Sequence, residues 1–501
     1  MQGAPSNEES FGRPRAAISP AILLACAMGM GGCAVGPDFV RPTAPPATRY
    51  THDTLHAEDP SKGDTQHIAL GHEIEGNWWT LFQSNAIDLV VKQALENNRN
   101  LAASMATLAQ AQEFALARAG SQYPQVDLSA AAGRQQYGKE FLGPIGIPPF
   151  TYFAVGPSVS YALDYTGGVA RGVEQQYALA EVEQHQRDAA YLTVTGQAVM
   201  QTLVIASVRA QIDTVETILL QDRDNLQLVQ SAFDNGSVAR EDVVSAQSQI
   251  ANDMTLLPPL RQDLAKARHA LSVALGRAPA SELPDDVGLG QITLPLQLPV
   301  SLPSELAHRR PDILAAEARL HAAASAVGVA QSNLYPKIQL SASAGQQSLK
   351  ADQLFDRAGN AWSIVSGLTA PIFDGGTLRA EKRAAVDAMR ASAATYEQTV
   401  LEAFAQVADL LEGLDHDAEQ LDAQDHAQQA AQSSLELARI SYKEGNAGVL
   451  RVLDAERSYQ QARLGYVRAV AQRYLDTVQL FLALGGTSPT SQPHSEPTHV
   501  L

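Results

Sequence analysis

The chain says the same thing twice. Tyr123-Pro124-Gln125-Val126-Asp127-Leu128-Ser129-Ala130-Ala131-Ala132-Gly133 returns as Tyr335-Pro336-Lys337-Ile338-Gln339-Leu340-Ser341-Ala342-Ser343-Ala344-Gly345, a spacing of 212 residues. Solenoid units recur every ~20–50 residues, so a period this long marks a duplicated half instead. A second echo agrees: Gly236 stands ten residues before Ala246-Gln247, as Gly445 stands ten before Ala455-Glu456. Whatever fold the chain adopts must be built from two copies of one plan.

At 501 residues with 45% hydrophobic and 18% charged residues, the chain has the make-up of a folded protein larger than one ordinary domain. The net charge of −18 excludes nucleic-acid binding, which needs a Lys/Arg excess to neutralise phosphates, and suits cations or basic partners better. Residues 1–32 read as a lipoprotein signal peptide: Arg13 and Arg15 supply positive charge, Ala16 to Met30 is mostly apolar, and Gly31-Gly32 precede Cys33. Leu23-Leu24-Ala25-Cys26 satisfies the same small-residue rule, so the residues alone leave Cys26 and Cys33 both open, beside an ordinary signal peptide or a single membrane anchor. The mature chain would have no internal disulfide.

Residues 33–76 are Pro-rich and polar without a helical or strand period and read as an extended tether. The first repeat, 77–278, opens at Trp78-Trp79, which read as packing anchors. The Pro-rich stretch 279–303 reads as a linker, 304–486 as the second repeat, and 487–501 as a disordered tail. Four segments alternate at period two, the mark of strands with two different faces: about 124–136, 151–165, 336–347 and 361–373. Phe153, Val155, Pro157, Val159, Tyr161 and Leu163 share one face, and Ala154, Gly156, Ser158, Ser160, Ala162 and Asp164 the other. At about a dozen residues each, they match tilted membrane strands, which need roughly 9–11. Four strands cannot close around water, and open edges are not tolerated in lipid, so oligomerisation follows if the strands span a membrane.

No proline occurs from Ser158 to Leu257, or from Ile372 to Ser488, so each stretch can carry a helix free of its worst breaker. The patterns predict long helices over about 168–233 and 377–443, each about 100 Å at 1.5 Å per residue, a length suited to a tube across a periplasm. Asp234-Asn235-Gly236 and Glu444-Gly445-Asn446 end them in glycine turns, after which helices return, and Pro258-Pro259 breaks the first return. The fold class predicted is mainly α with a membrane β-barrel portion, in duplicated halves of two strands plus long helices.

Cys33-Ala34-Val35-Gly36-Pro37-Asp38-Phe39, Arg41-Pro42, Trp78-Trp79, Arg309-Arg310-Pro311-Asp312-Ile313 with Ala316-Glu317, and Leu334-Tyr335-Pro336 together resemble the NodT-type outer-membrane efflux lipoproteins of the TolC-like outer membrane factor superfamily. The resemblance implies a homotrimer giving a twelve-stranded barrel on a periplasmic α-helical tunnel, lipidated on Cys33, with no cofactor beyond that lipid. It implies a passive exit duct that docks on a periplasmic adaptor (membrane fusion protein) and an inner-membrane RND transporter. Its site would be the outer membrane of a Gram-negative bacterium, with a large periplasmic part. It also places the adaptor-docking tip at Gly236, Ser237, Val238, Gly445, Asn446, Gly448 and Val449, and the gate at Asp242, Asp454 and Tyr442. Arg451 departs from the family, which usually carries Asp there. As a cation it can pair with Asp454 at i,i+3, or with Asp242 and Glu241 of a neighbouring helix, in a lock that holds the tip closed; the bland reading is a solvated helix residue.

No enzyme is read here: no nucleophile elbow, phosphate loop or zinc helix emerges, His72-Glu73 lacking a second His. Asp415-His416-Asp417, Asp422, Asp425 and His426 read as a solvated helix surface rather than a metal site, because no ligand set of fixed geometry forms. Beside the efflux duct stand a duct for one-step protein secretion and a lipid-anchored helical scaffold that conducts nothing. Four lipid/water alternating strands argue against the scaffold, and the transported substrate is not legible.

Overall fold

The computed structural model describes residues 34–43, 47, 49–51, 66–72, 74–138 and 148–485. The signal segment, Cys26, Cys33, Glu73, most of the first hairpin loop and the C-terminal tail lie outside them. The elements, in order, are β1 (His67–Leu70), α1 (Asn85–Asn97), α2 (Arg99–Ala119), β2 (Gln125–Gln135), β3 (Phe150–Leu163), α3 (Gly168–Asp234), α4 (Arg240–Met254) and α5 (Leu257–Ala274). Then follow β4 (Gln297–Val300), α6 (Pro311–Ser332), β5 (Lys337–Ser348), β6 (Asn360–Thr369), α7 (Thr377–Lys443) and α8 (Val449–Ala483). The predicted strands and helices are all present, with two trimmed ends: β3 stops at Leu163, so Asp164 lies beyond it, and β6 stops at Thr369, before Pro371, so Ile372 lies beyond the ladder.

The duplicated halves do not fold as separate domains. The described residues form two compact units, one within 34–39, 115–176 and 323–389, the other within 40–114, 177–322 and 390–485. Each half gives one hairpin and the adjoining helix ends to the first unit and the rest of its helices to the second.

In the strand unit, β2, β3, β5 and β6 form a four-stranded antiparallel sheet in that order. Its register carries the sequence alternation across every strand. Val126 pairs with Val159, Val159 with Ala342 and Ala342 with Ile364, while one residue along Asp127, Ser158, Ser343 and Ser363 line up in the same way. One row is therefore apolar and the next is carboxylate and hydroxyl, with Ser343 Oγ and Ser363 Oγ 2.9 Å apart. The apolar row is bare: Trp362 and Ile364 are each 77% exposed. Pro157 has no N–H for a ladder, and the β3–β5 pairing skips Gly156 and Pro157. Two glycines meet there: a Cβ on Gly156 would lie 2.6 Å from the Gly345 Cα, so neither strand tolerates a side chain at that point.

Both long helices leave the sheet through one device. The Asp164 carboxylate accepts from the Ala170 N–H (2.8 Å), and the Asp374 carboxylate from the N–H groups of Gly376 (2.8 Å) and Leu378 (2.9 Å). These donors, otherwise unsatisfied at a helix start, hold the Asp374 carboxyl below its usual range, Leu378 first. Gly167, Gly375 and Gly376 supply the positive φ of the turns. The residues just after Cys33 dock here: the Val35 N–H donates to Thr166 O (2.9 Å), and Arg171 pairs with Asp38 and Glu174.

The helical unit has a closed core. Trp78 stacks edge-on against Trp79 and Phe82 at ring separations of 6.0 and 6.5 Å and meets Phe481 at 5.9 Å. Trp78, Phe82 and Phe481 are at most 1% exposed, so the tryptophans are packing anchors. The segment expected as a tether is fastened at several points. Arg41 donates to Glu317 (2.7 Å), Tyr50 OH to Ser301 O (3.0 Å) and Gln66 to Thr477 (2.9 Å), and β1 pairs in parallel with β4, inside the expected linker.

Candidate functional site

The two glycine turns come together at one end of the helical unit. Each closes with the same pair of bonds: Gly236 N–H to Phe233 O and Ser237 N–H to Ala232 O (both 2.8 Å), then Gly445 N–H to Tyr442 O (3.0 Å) and Asn446 N–H to Ser441 O (2.8 Å). This six-to-one, five-to-two pattern needs a left-handed residue, and Gly236 and Gly445 have φ of +71° and +76°. Gly448 precedes α8 with an ordinary φ of −75° and meets nothing nearby, so no strain explains it.

Of the seven tip residues, Gly236, Ser237, Gly445, Asn446 and Gly448 are exposed, Val238 is half-buried and Val449 buried. The valines have a different task from the rest. Val449 of the second half packs with Val229 and Val243 of the first, with Phe233, Val238 and Tyr442 against them, so the two turns share one apolar plug. Tyr442 also touches the neighbouring cluster of Leu435, Ala438 and Val452 and so joins the two.

The charges expected at a gate are placed differently from the simplest expectation. Asp242 sits in the first turn of α4 and accepts from the Ala239 N–H (3.0 Å), so it caps its own helix. Asp454 pairs with Arg457 on its own helix rather than with Arg451. Glu241 and Arg451 are exposed, and neither takes part in an ion pair among the described residues. The lock expected within one chain is therefore not formed: the capping geometry and the i,i+3 neighbour reach the two aspartates first. Arg451 lines a groove of ≈ 500 Å³ with Leu450, Asp454 and Arg457 of α8 and Ser245 and Gln249 of α4.

Sequence reasoning missed the buried polar groups behind the tip. Glu456 is 2% exposed and accepts from Arg439 (3.1 Å) and from Asn225. Burial pushes its carboxyl up, against the pull of Arg439 and Asn225. Asp222 is 4% exposed and accepts from Gln460 (2.9 Å). The signal was available: Val449, Val452, Glu456, Gln460 and Leu464 are spaced as one face of α8, so two polar residues occupy core positions.

The Arg309-Arg310-Pro311-Asp312-Ile313 string also acquires a task. Arg310 grips Asp312 through two nitrogens (2.9 Å each), donates to Ala483 O (2.9 Å) and reaches Gln406 (2.8 Å). It thus ties the start of α6 to the end of α8, where carbonyls are otherwise unsatisfied. In the charged run of α7, His426 Nδ1 lies 3.7 Å from Asp422 Oδ2, both side chains exposed.

The model of the family described as outer membrane efflux protein matches residues 90–277 and 302–486, one match per repeat. The chain is 29% identical over 480 residues to the toluene efflux pump outer membrane protein TtgF of Pseudomonas putida, covering 94% of this chain and 98% of that one. It is 27% identical to the cation efflux system protein CusC of Escherichia coli O157:H7, over 94% and 99% of the two chains. The solved outer-membrane channel OprN superposes with a TM-score of 0.83 at 28% identity, covering 91% of this chain and all of that one.

Proposed function

Because the chain belongs to the outer membrane efflux protein family, we propose that it is the exit duct of a tripartite efflux system, passing small molecules from an inner-membrane RND transporter and its adaptor across the periplasm and outer membrane. The observation that carries this reading is the open sheet with one apolar row bare and, among the described residues, no strand paired to either edge. A sheet of that kind is complete only when other copies pair its edges and lipid covers its apolar face. Three copies would close a twelve-stranded barrel.

The exposed part of the tip, Gly236, Ser237, Gly445, Asn446 and Gly448, is the surface offered to the adaptor, while Val238 and Val449 hold that surface in shape. With Asp242 and Asp454 engaged inside the chain, Arg451 is the gate charge available to an acidic group of a neighbouring copy. Cys33 is the lipidated residue in this reading, supported by the docking of Val35 and Asp38 beside the sheet. Relatives named for toluene and for cations match the same full length, so we assign choice of cargo to the transporter.

The test is single-channel conductance of the purified chain in planar bilayers, wild type beside Arg451→Ala. A small, mostly closed conductance that opens further in the variant is the expected result. No conductance from either folded form would return the chain to a non-conducting scaffold.

A further inference from the structure

Behind the tip lies a second buried acid, Asp222, 4% exposed. Val215, Leu219, Asp222, Leu226 and Val229 follow one stripe of α3, so Asp222 stands where the pattern calls for an apolar side chain. Its Oδ1 accepts from Gln460 of α8 (2.9 Å), but its buried Oδ2 has no donor among the described residues. What it faces is a second carboxyl, Asp253 in the last turn of α4, itself held by Gln249 (2.8 Å). The other charges around the pair do not relieve it. Glu456 of α8 adds a third negative group, and Glu456 itself takes up Arg439 of α7 (3.1 Å) and Asn225 of α3. Where a buried carboxyl faces a half-buried one, ionising both sets like charges together, and one shared proton supplies the missing donor.

The position of Asp253 gives the pair a mechanical meaning. The α4 helix buries only Val243 and Ala246, stops at Met254, and is separated from α5 by Thr255-Leu256, with Pro258 and Pro259 in the first turn of α5. Asp253 is thus the fastening at the broken end of a lightly packed arm. We propose that Asp222 and Asp253 form a proton-shared latch that binds the broken end of α4 to α3 and α8, and that loss of this proton to water frees the Arg240–Met254 arm to hinge at Thr255-Leu256.

Burial first, and Asp253 second, push the Asp222 carboxyl up to about 7. A carboxyl raised in the packed state stabilises packing below its free value and loses that contribution as pH rises through about 7. The latch is therefore closed in mild acid and released above neutrality. The second half carries a similar pair, in which Asp417 of α7 faces Asp476 of α8 and the Asp417 carboxyl is raised to about 7, but α8 runs unbroken for 35 residues and has no arm to release. The latch rests on helix packing alone; only its effect on a duct rests on the function proposed above.

Amide hydrogen exchange of the full chain in detergent, corrected for intrinsic rates, reads the latch without any conductance. Between pH 6 and 8, protection of residues 240–254 falls about tenfold in the wild type, one proton's worth, and by less than about twofold in Asp222→Asn. The Asn keeps the Gln460 contact and gives Asp253 a permanent donor. Where Asp222→Asn does not fold, Asp253→Asn decides in the same way. An unchanged fall in these variants, or no fall in the wild type, overturns the latch. Persistence of the exchange step in a chain that conducts nothing would overturn the duct and keep the latch.

Discussion

The two helices that return from the tip began as copies of one plan and are now built differently. The second, α8, is a single helix of 35 residues with buried side chains from Val449 to Ala483. The first is cut in two: α4 buries two side chains and ends at Met254, and α5 starts afresh with prolines in its first turn. Proline is accepted at a helix start because its missing N–H has no partner there anyway, so the break costs little where it falls. The difference teaches that duplication fixed the two turns and left the members behind them free to diverge. One became a strut and the other a hinged arm.

The largest expected effect is on the strut. Phe481→Ala empties the aromatic core and should lower stability by about 3–5 kcal/mol, read as a fall in the thermal midpoint. Val243→Ala in the arm should cost only about 1–2 kcal/mol for the apolar groups removed. Equal losses would erase the distinction between strut and arm. The turns should behave alike despite their unlike helices. Gly236→Ala and Gly445→Ala each force a side chain into the left-handed region at about 1–2 kcal/mol, seen as equal losses of amide protection at the two turns.

Rejoining the arm sharpens the comparison further. Pro258→Ala with Pro259→Ala lets a continuous helix form across Thr255-Leu256, gaining about 1 kcal/mol per restored bond, and exchange at 240–254 should slow. The smallest effect is a loss of stability with rising pH. The Asp417 carboxyl is pushed up to about 7 by burial first and Asp476 second, so its contribution to packing is lost as pH rises through that value. Asp417→Asn should therefore flatten the fall of the thermal midpoint as pH rises from mild acid to about 7, while leaving exchange of 240–254 untouched. A change in that arm would show that the two carboxyl pairs are not independent.

Most of this architecture was legible because its signals are local. Sheet faces that meet different surroundings write an alternation into Phe153 to Leu163 and Lys337 to Ser343, and proline-free stretches leave room for helices of 67 residues. The turns at Gly236 and Gly445 were legible for the same reason, since the left-handed residue sits in the sequence itself. What stayed hidden depends on distant partners. The β1–β4 pairing joins two four-residue strands of parallel register, too short to carry a period. Asp242 and Asp454 were readable as charges near the tip, but their choice of partner is a matter of local capping and helix phase. Asp222 and Glu456 were visible only as polar residues out of place in an apolar stripe.

The contact of Trp78 with Phe481 has a consequence in time. The core that closes around these rings needs residues from both ends of the chain, and β1 cannot find β4 until the whole first repeat has been made. Closing loops this long precedes any reward from the contact, and such topologies assemble slowly. A newly made chain must therefore wait, core unsealed, until its last long helix arrives. That interval exposes it to aggregation and to proteases, and it makes truncation near the C-terminus as damaging as loss of the first repeat.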